Sequence, residues 1–517
     1  MLLLVLSAGS KNLLPNNSRL LETVGADTAT ALLDHLERDG EPPAGRRVFV
    51  NRTLRLETIR YLGFDLDWTL ADYERLPLEK LTFDLTIDRL IDFHGYPESI
   101  RQVEFRPDFP RRGLLLDKEA GTVLRMNRHR YVNLAYFGRE RLDREALKRL
   151  YRYEPIHPAS ARFYHLDSLF ELPEANLYAE LIDLADRDQT LSLPSSWQIF
   201  DDLRAAVDWV HRRGAQKTKV LASRETYLER DVEVGLALLR LALNGRRLIL
   251  ITNSDWEYVH SICSFLFDGL LPGLESWRDL FDLVIVEAGK PDFFRTHRSF
   301  EPIETPTDTI RETDVPTWGG VYRGGCLDGF MRLIAEPGEH VLYVGDHIYG
   351  DIVSSKLEST WRTALIVREL EEELSQREQS AADLDRQIEL QQQMTDIGHE
   401  MDHLRDVITV YQDLVERGAD LSSEKLESLR GSFDRLRRDH FRLLQEEATW
   451  SERLARRFNP YWGSFFKQGT SKTRFASQLE SYACLYTSRV SNFAYYGANR
   501  YFRVSEDPMM HELEERR

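Results

Sequence analysis

The sequence predicts an α/β protein built on an open, largely parallel sheet covered by helices. Three observations carry that expectation. Four short apolar runs, at 61–67, 247–255, 281–290 and 340–351, each stop abruptly in polar residues, and 361–367 resembles a fifth. Their hydrophobicity is continuous rather than alternating, as in strands buried on both faces. Helical patterns lie between them, and in such sheets ligands gather at the carboxyl ends of the strands.

Taken in order, the opening "MLLLVLSAGSKN" lacks a basic region, and its apolar run of about six residues falls short of a signal peptide's core. It is read as a leading strand or helix. The run "YLGFDLD" at 61–67 is the first core strand. The interval from Asp67 to Thr252 is too long for one crossover helix. It holds amphipathic helical patterns at 167–186 and 199–214, so it is read as a largely helical cap over the strand ends. A further helix at 230–245 closes on Gly245 as its C-cap. From about 368 to 455 the chain turns rich in Glu, Gln, Arg and Leu. Met394, Ile397, Met401, Leu404, Ile408, Tyr411 and Val415 keep a three-four spacing, as do Leu426, Leu429, Phe433 and Leu436. These heptad seams, broken at 416–424, predict an antiparallel helical hairpin for packing or oligomerisation. The aromatic-rich segment after it is expected to fold back on the main body.

Composition narrows the function classes. Of 517 residues, 42% are hydrophobic and 11% aromatic, which is globular, and the formal net charge of −17 disfavours a long nucleic-acid partner. The three cysteines, Cys263, Cys326 and Cys484, are widely spaced, as in a reducing compartment. No stretch approaches the roughly 18 apolar residues of a membrane span. A soluble, cytoplasmic protein is expected.

The chemistry begins with Asp65 and Asp67, one residue apart and followed by Thr69. Two carboxylates this close repel unless a cation or proton lies between them. A solvated turn or helix N-cap explains one of them but not the pair. The functional reading divides the work: one carboxylate attacks phosphorus to form an aspartyl-phosphate, and the other exchanges protons with the leaving oxygen and water. A divalent cation with oxygen ligands, Mg²⁺, offsets the charge. "GDHIYGD" supplies Asp346 and Asp351, Thr252 and Asn253 end another strand, and Lys290 ends a third. Taken singly, Thr252 reads equally well as a helix cap and Lys290 as a solvent-reaching lysine.

This ordered set, D-x-D-x-T, hydrophobics-T-N, a lone Lys, and G-D-x-x-x-x-D, resembles the four motifs of the haloacid dehalogenase superfamily, and the second Asp points to its phosphotransferases. Longer stretches, among them "RVFVNRTLRLETIRYLGFDLDWTLADY", "DSLFELPEANLYA" and "VGDHIYGDIVSSKLESTWRT", resemble the cytosolic purine 5′-nucleotidase family over about 47 to 500. The resemblance implies a haloacid dehalogenase-like sheet and hydrolysis of purine mononucleotides, chiefly IMP and GMP. It also implies passage of the phosphate to a nucleoside acceptor. Asp65 is then the nucleophile and Asp67 the acid/base. Asp65, the main-chain carbonyl of Asp67, and Asp346 are Mg²⁺ ligands, with Asp351 beside them, and Thr252 and Lys290 hold the phosphoryl group.

It further assigns Phe170 to stacking on the purine, and Arg204 and Asp208 to its oxo and N–H edge. His211 and Lys217 are placed near base or ribose, and Asn253 and Ser254 near the phosphate. On residues alone, Phe170 reads equally well as a core aromatic, and the Arg204–Asp208–His211 face reads as a solvated stripe. Arg212 stands where the family's eukaryotic members have Tyr. An effector nucleotide site is implied at Tyr349 and Lys356, with Leu357 where a second lysine is expected. The segments follow as an extension 1–46, core 47–75, a substrate-recognition cap 76–215, core 216–368, hairpin 369–455 and a C-terminal segment 456–517 packing on the core. A homodimer or homotetramer without membrane association is expected. Two alternatives stay open: a phosphatase of the same superfamily acting on other small phosphate esters, and a helical-hairpin interaction protein whose phosphatase body is inert.

Overall fold

The computed structural model describes residues 41–504 apart from 153–155, 158, 213, 305–310 and 470, together with Thr28 and Thr30. The opening apolar stretch and the "HELEERR" tail lie outside the described residues. Strands β1 (Phe49–Val50) and β2 (Tyr61–Phe64) come first. The insertion after them carries β3 (Leu115–Asp117), β4 (Thr122–Met126), β5 (Val132–Phe137), β6 (Glu140–Arg141) and β7 (Phe163–His165). Then follow β8 (Arg247–Ile251), β9 (Leu283–Val286), β10 (Phe300–Glu304), β11 (Val321–Gly324), β12 (Val341–Gly345), β13 (Arg362–Ile366) and β14 (Leu485–Thr487).

A nine-stranded sheet runs in the order β1-β14-β13-β12-β2-β8-β9-β11-β10. Neighbours from β14 to β11 are parallel, and the two edge pairings, β1 with β14 and β10 with β11, are antiparallel. The five apolar runs of the sequence are the interior strands β2, β8, β9, β12 and β13. They read as unbroken apolar runs because alternate residues enter two different cores. Leu62, Phe64, Leu248, Leu250, Leu342 and Val344 share one cluster with Val259 and Ile262. Tyr61, Ile249, Ile251, Val341 and Tyr343 share the other with Phe293, Phe330 and Trp361. The aromatic C-terminal stretch supplies β14, which extends the sheet beyond β13.

The insertion holds helices α1 (Arg75–His94), α2 (Leu172–Arg187) and α3 (Ser196–Arg212), but the expectation of a mostly helical cap missed a second sheet. Strands β6-β5-β4-β3-β7 form a five-stranded antiparallel sheet closed over Leu115, Leu124, Met126 and Ala135. Its strands are short, and Asp117, Arg125, Asn133, Glu140 and Arg141 interrupt them, so no long apolar run announces them. Helix α4 (Val232–Leu243) precedes Gly245, which adopts φ +82°. Helix α5 (Trp256–Phe267) is capped by Asp255, whose side chain accepts from Tyr258 N. Among the described residues no helix is long and apolar enough to cross a membrane.

The chain divides into two compact units, Glu372–Thr470 and the remainder. In the smaller unit, α6 (Ala381–Glu416) and α7 (Ser423–Phe458) run antiparallel, as shown by Arg386 pairing with Glu446 and the Tyr411 hydroxyl donating to the Ser422 carbonyl. The break between them falls at 417–422, where the heptads stop. Most seam residues are the less exposed positions of the two helices, so the seam is used within one chain.

Candidate active site

The register sets the site. β2 pairs with β12 on one side and β8 on the other, so Asp65 follows Phe64 level with Val344 and Leu250. Strands β8, β9 and β11 are added on one side of β2 and β12, β13 and β14 on the other, and this reversal of strand order opens a crevice at the carboxyl ends. Lys290 occupies its floor. Its Nζ lies 2.9 Å from Asp65 Oδ1 and 2.7 Å from Asp351 Oδ1, and it donates to the Tyr343 hydroxyl at 2.7 Å. The Tyr343 hydroxyl in turn donates to the Ile251 carbonyl at 3.0 Å. Asn253 clamps the lysine's main chain, accepting from Lys290 N at 2.7 Å and donating to Lys290 O at 3.0 Å.

Asp351 reaches this lysine from a π-helical turn, Ile348–Val353, that follows β12. Gly345 is required there, since a Cβ on it would fall 2.3 Å from Asp351 Oδ2. Carboxylate oxygens of Asp65, Asp346 and Asp351 all lie within 4.8 Å of one another. Asp346 Oδ2 is buried with no hydrogen-bond partner among the described residues. Burial, with Asp351 and Asp67 adding to it and Lys290 opposing, pushes the Asp65 carboxyl up to about 7. Burial likewise lifts Asp346 well above the carboxylate range, against the pull of Arg112. Burial works against the Lys290 charge, but Asp351 and Asp65 hold the ammonium well above its ordinary value. One lysine among three buried carboxylates leaves negative charge uncompensated. That, with the unpartnered Asp346 oxygen and an all-oxygen donor set, fits a hard divalent cation.

Asp67 faces a different set of groups. Tyr73 donates to Oδ1 at 2.6 Å and Ser254 Oγ to Oδ2 at 2.7 Å, with the Tyr258 hydroxyl 2.9 Å from that of Tyr73. The turn that separates it from Asp65 is tight. Trp68 sits at φ +56°, a left-handed conformation that bulky residues rarely adopt. Burial of its ring against Tyr73 and Phe170 holds it there. Thr69 Oγ1 is buried without a hydrogen-bond partner, and Thr252 Oγ1 accepts from Ser254 N at 3.2 Å.

Phe170 links this turn to α3, its ring centroid lying 6.0 Å from Trp68, 6.1 Å from Tyr73 and 5.5 Å from His211. A capping box of Ser168 and Glu171 fixes the backbone around it. Arg204 bonds to Glu174, to the Tyr164 hydroxyl at 2.8 Å and to Asp208 at 2.5 Å. The sequence reading named neither Glu174 nor Tyr164. Burial pushes the Glu174 carboxyl up to about 8, against Arg204. The spacing of Glu171 and Glu174 on one helical face was the available signal. Lys217 pairs with Asp255 at 2.5 Å and lies 4.7 Å from the Tyr258 ring centroid. The two residues of the expected effector site, Tyr349 and Lys356, are engaged separately: the Tyr349 hydroxyl accepts from Arg295 at 3.0 Å, and Lys356 donates to the Trp361 carbonyl at 2.9 Å.

His211 Nε2 is buried without a hydrogen-bond partner among the described residues, and burial, reinforced by Arg204, pushes the ring down to about 4. An unfolded histidine titrates near 6.5, so the neutral ring's contribution is complete above that pH and is lost as pH falls toward 4. Between pH 7.5 and 5, wild type should therefore lose about 1–2 kcal/mol more unfolding free energy than His211→Gln. Urea titrations at the two pH values measure this, and parallel slopes would contradict it.

A parallel sheet that gathers a buried lysine and three carboxylates at its carboxyl edge defines the class: an α/β enzyme with a charge-rich site at a topological switch point. Comparison with known proteins makes it particular. The family described as the 5′ nucleotidase family matches residues 48–514. A 5′-nucleotidase domain-containing protein of Dictyostelium discoideum is 30% identical over 485 residues, covering 90% of this chain and 75% of that protein. The human 5′-nucleotidase domain-containing protein 2 is 28% identical over 487 residues, covering 90% and 85%. The chain belongs to the 5′-nucleotidase family, and it is an enzyme of that class.

Proposed function

We propose that this protein hydrolyses purine nucleoside 5′-monophosphates, IMP and GMP foremost, through an aspartyl-phosphate on Asp65. One observation carries the reading: two aspartates with a single residue between them have opposite surroundings, Asp65 against a buried lysine and Asp67 between two hydroxyl donors. Asp65 attacks phosphorus as the bond to the 5′-oxygen breaks, and Asp67 delivers a proton to that oxygen. Asp67 then takes a proton from water, whose oxygen attacks phosphorus, and free Asp65 is regenerated with release of phosphate. Lys290 and Thr252 hold the phosphoryl oxygens. Mg²⁺ held by Asp65, Asp346, Asp351 and the Asp67 carbonyl would supply the charge that offsets the phosphate.

The same phospho-enzyme serves transfer to a nucleoside when the acceptor replaces water. Three buried, unpaired cysteines support a reducing, cytoplasmic setting. Phosphate release from IMP, GMP, AMP, UMP and ribose 5-phosphate, with and without Mg²⁺ and inosine, tests the whole reading. Equal rates across the panel would remove the base preference, and turnover indifferent to Mg²⁺ the metal. Within that panel, Phe170→Ala should raise KM for IMP by about 5–150-fold, the 1–3 kcal/mol of one base-stacking contact. Ribose 5-phosphate, which has no base, should be affected only through the lost packing against Trp68 and therefore less than IMP; an equal effect on both substrates would remove Phe170 from the base site.

A further inference from the structure

Arg112 lies in the insertion, far in sequence from the carboxylate cluster, and the proposed reaction does not use it. Its side chain is fully buried. Nη1 donates to the main-chain carbonyl of Asp346 at 2.7 Å. The other edge of the guanidinium forms a fork on Glu369, Nε to Oε1 at 2.8 Å and Nη2 to Oε2 at 2.5 Å. The plane lies near the Phe475 ring, 5.4 Å from its centroid. The neighbouring Gly113 donates to the Leu166 carbonyl at 2.6 Å, and a Cβ on it would lie 2.7 Å from Phe475 Cβ, so the backbone here has little room to move.

What Arg112 leaves unbonded is as informative. A buried arginine beside a buried carboxylate ordinarily forms a bidentate pair with it. Here Nη1 stays 3.9 Å from Asp346 Oδ2, that oxygen has no hydrogen-bond partner, and the fork goes to Glu369 instead. The arginine grips the loop by its main chain and keeps the carboxylate free. Because Glu369 balances its charge, it does so with little net positive charge near the cluster.

We propose that Arg112 is a positioning residue for Asp346, fixing the main chain so that this carboxylate faces Asp65 and Asp351, and that Glu369 in turn orients Arg112. The inference rests on the reading of that cluster as a divalent-cation site. Partners that orient metal ligands from outside contribute about 10–100-fold in metal affinity.

The test is direct binding of Mn²⁺ to the full-length, metal-free protein, read from the electron paramagnetic resonance signal of the free ion, with thermal unfolding alongside. Arg112→Met alone leaves Glu369 unpaired, and its charge would itself attract a cation. The decisive variant is therefore Arg112→Met with Glu369→Met, which removes both charges. It should bind Mn²⁺ 10–100-fold more weakly than wild type while unfolding cooperatively. Arg112→Lys, which keeps one donor but not the fork, should recover part of the affinity, and Glu369→Gln should lose a few-fold. If the double variant does not fold, these two conservative variants decide. Wild-type affinity in the folded double variant, or in both conservative variants, would overturn the role of Arg112 and leave the metal reading standing. Absence of Mn²⁺ binding to wild type would overturn the metal reading, and this inference with it.

Discussion

In an Asp65→Asn variant, phosphate release from IMP should fall by roughly 10⁴-fold or more, the scale of losing a covalent nucleophile, while the fold survives. Asn keeps the size of the side chain and leaves Lys290 paired with Asp351 at 2.7 Å. It removes a carboxylate that burial and two acidic neighbours already push up to about 7. The metal-free variant should therefore unfold at the same temperature as wild type or higher at pH 7.5, where the native Asp65 charge is costly. Rapid-quench labelling with a phosphorylated substrate should show no phospho-enzyme. Turnover near the wild-type rate would remove Asp65 as nucleophile. A large fall in melting temperature would show that Asp65 is instead a structural partner of Lys290.

Lys290→Met should be the most destabilising single change at the site. It strands Asp65 and Asp351, both buried, without their shared cation. Removing one partner of a buried ion pair costs about 3–5 kcal/mol, because the remaining charge stays desolvated. Urea unfolding measures the loss. Adding Asp351→Asn to Lys290→Met should recover a substantial part of it, since contacting residues couple in a double-mutant cycle. Activity should fall by about 10²–10³-fold with the loss of a preorganised donor to the phosphoryl group. A stability change below about 1 kcal/mol would mean that water reaches these carboxylates and that the crevice is not a low-dielectric site.

Much of the site was legible because its residues terminate strands. A strand buried on both faces must be apolar throughout, so the first polar residues after it mark the carboxyl edge: Asp65 and Thr252 follow their strands directly, Asp346 follows β12, and Lys290 stands four residues past β9. The hairpin was legible for a similar reason. Two long helices that bury one stripe against each other must repeat that stripe, and the seam at Met394, Ile397 and Met401 does so.

The cap sheet was not legible. β3 to β7 are two to six residues long, and Arg125 and Asn133 stand between the apolar residues of β4 and β5. β14 was hidden in an aromatic stretch whose partner, β13, lies more than a hundred residues earlier.

Sequence alone determined which residues end the interior strands and therefore which carboxylates and which lysine share an edge, because local hydrophobicity dictates burial of a strand. Only the tertiary structure decided which charges are buried away from those edges. Arg112, Glu174 and Glu369 look like ordinary surface residues in the chain, yet all three are buried or nearly so in ion pairs. A buried charge is tolerated only when a distant partner is brought to it. The Arg112 partner lies 257 positions away, a distance across which no local pattern carries information.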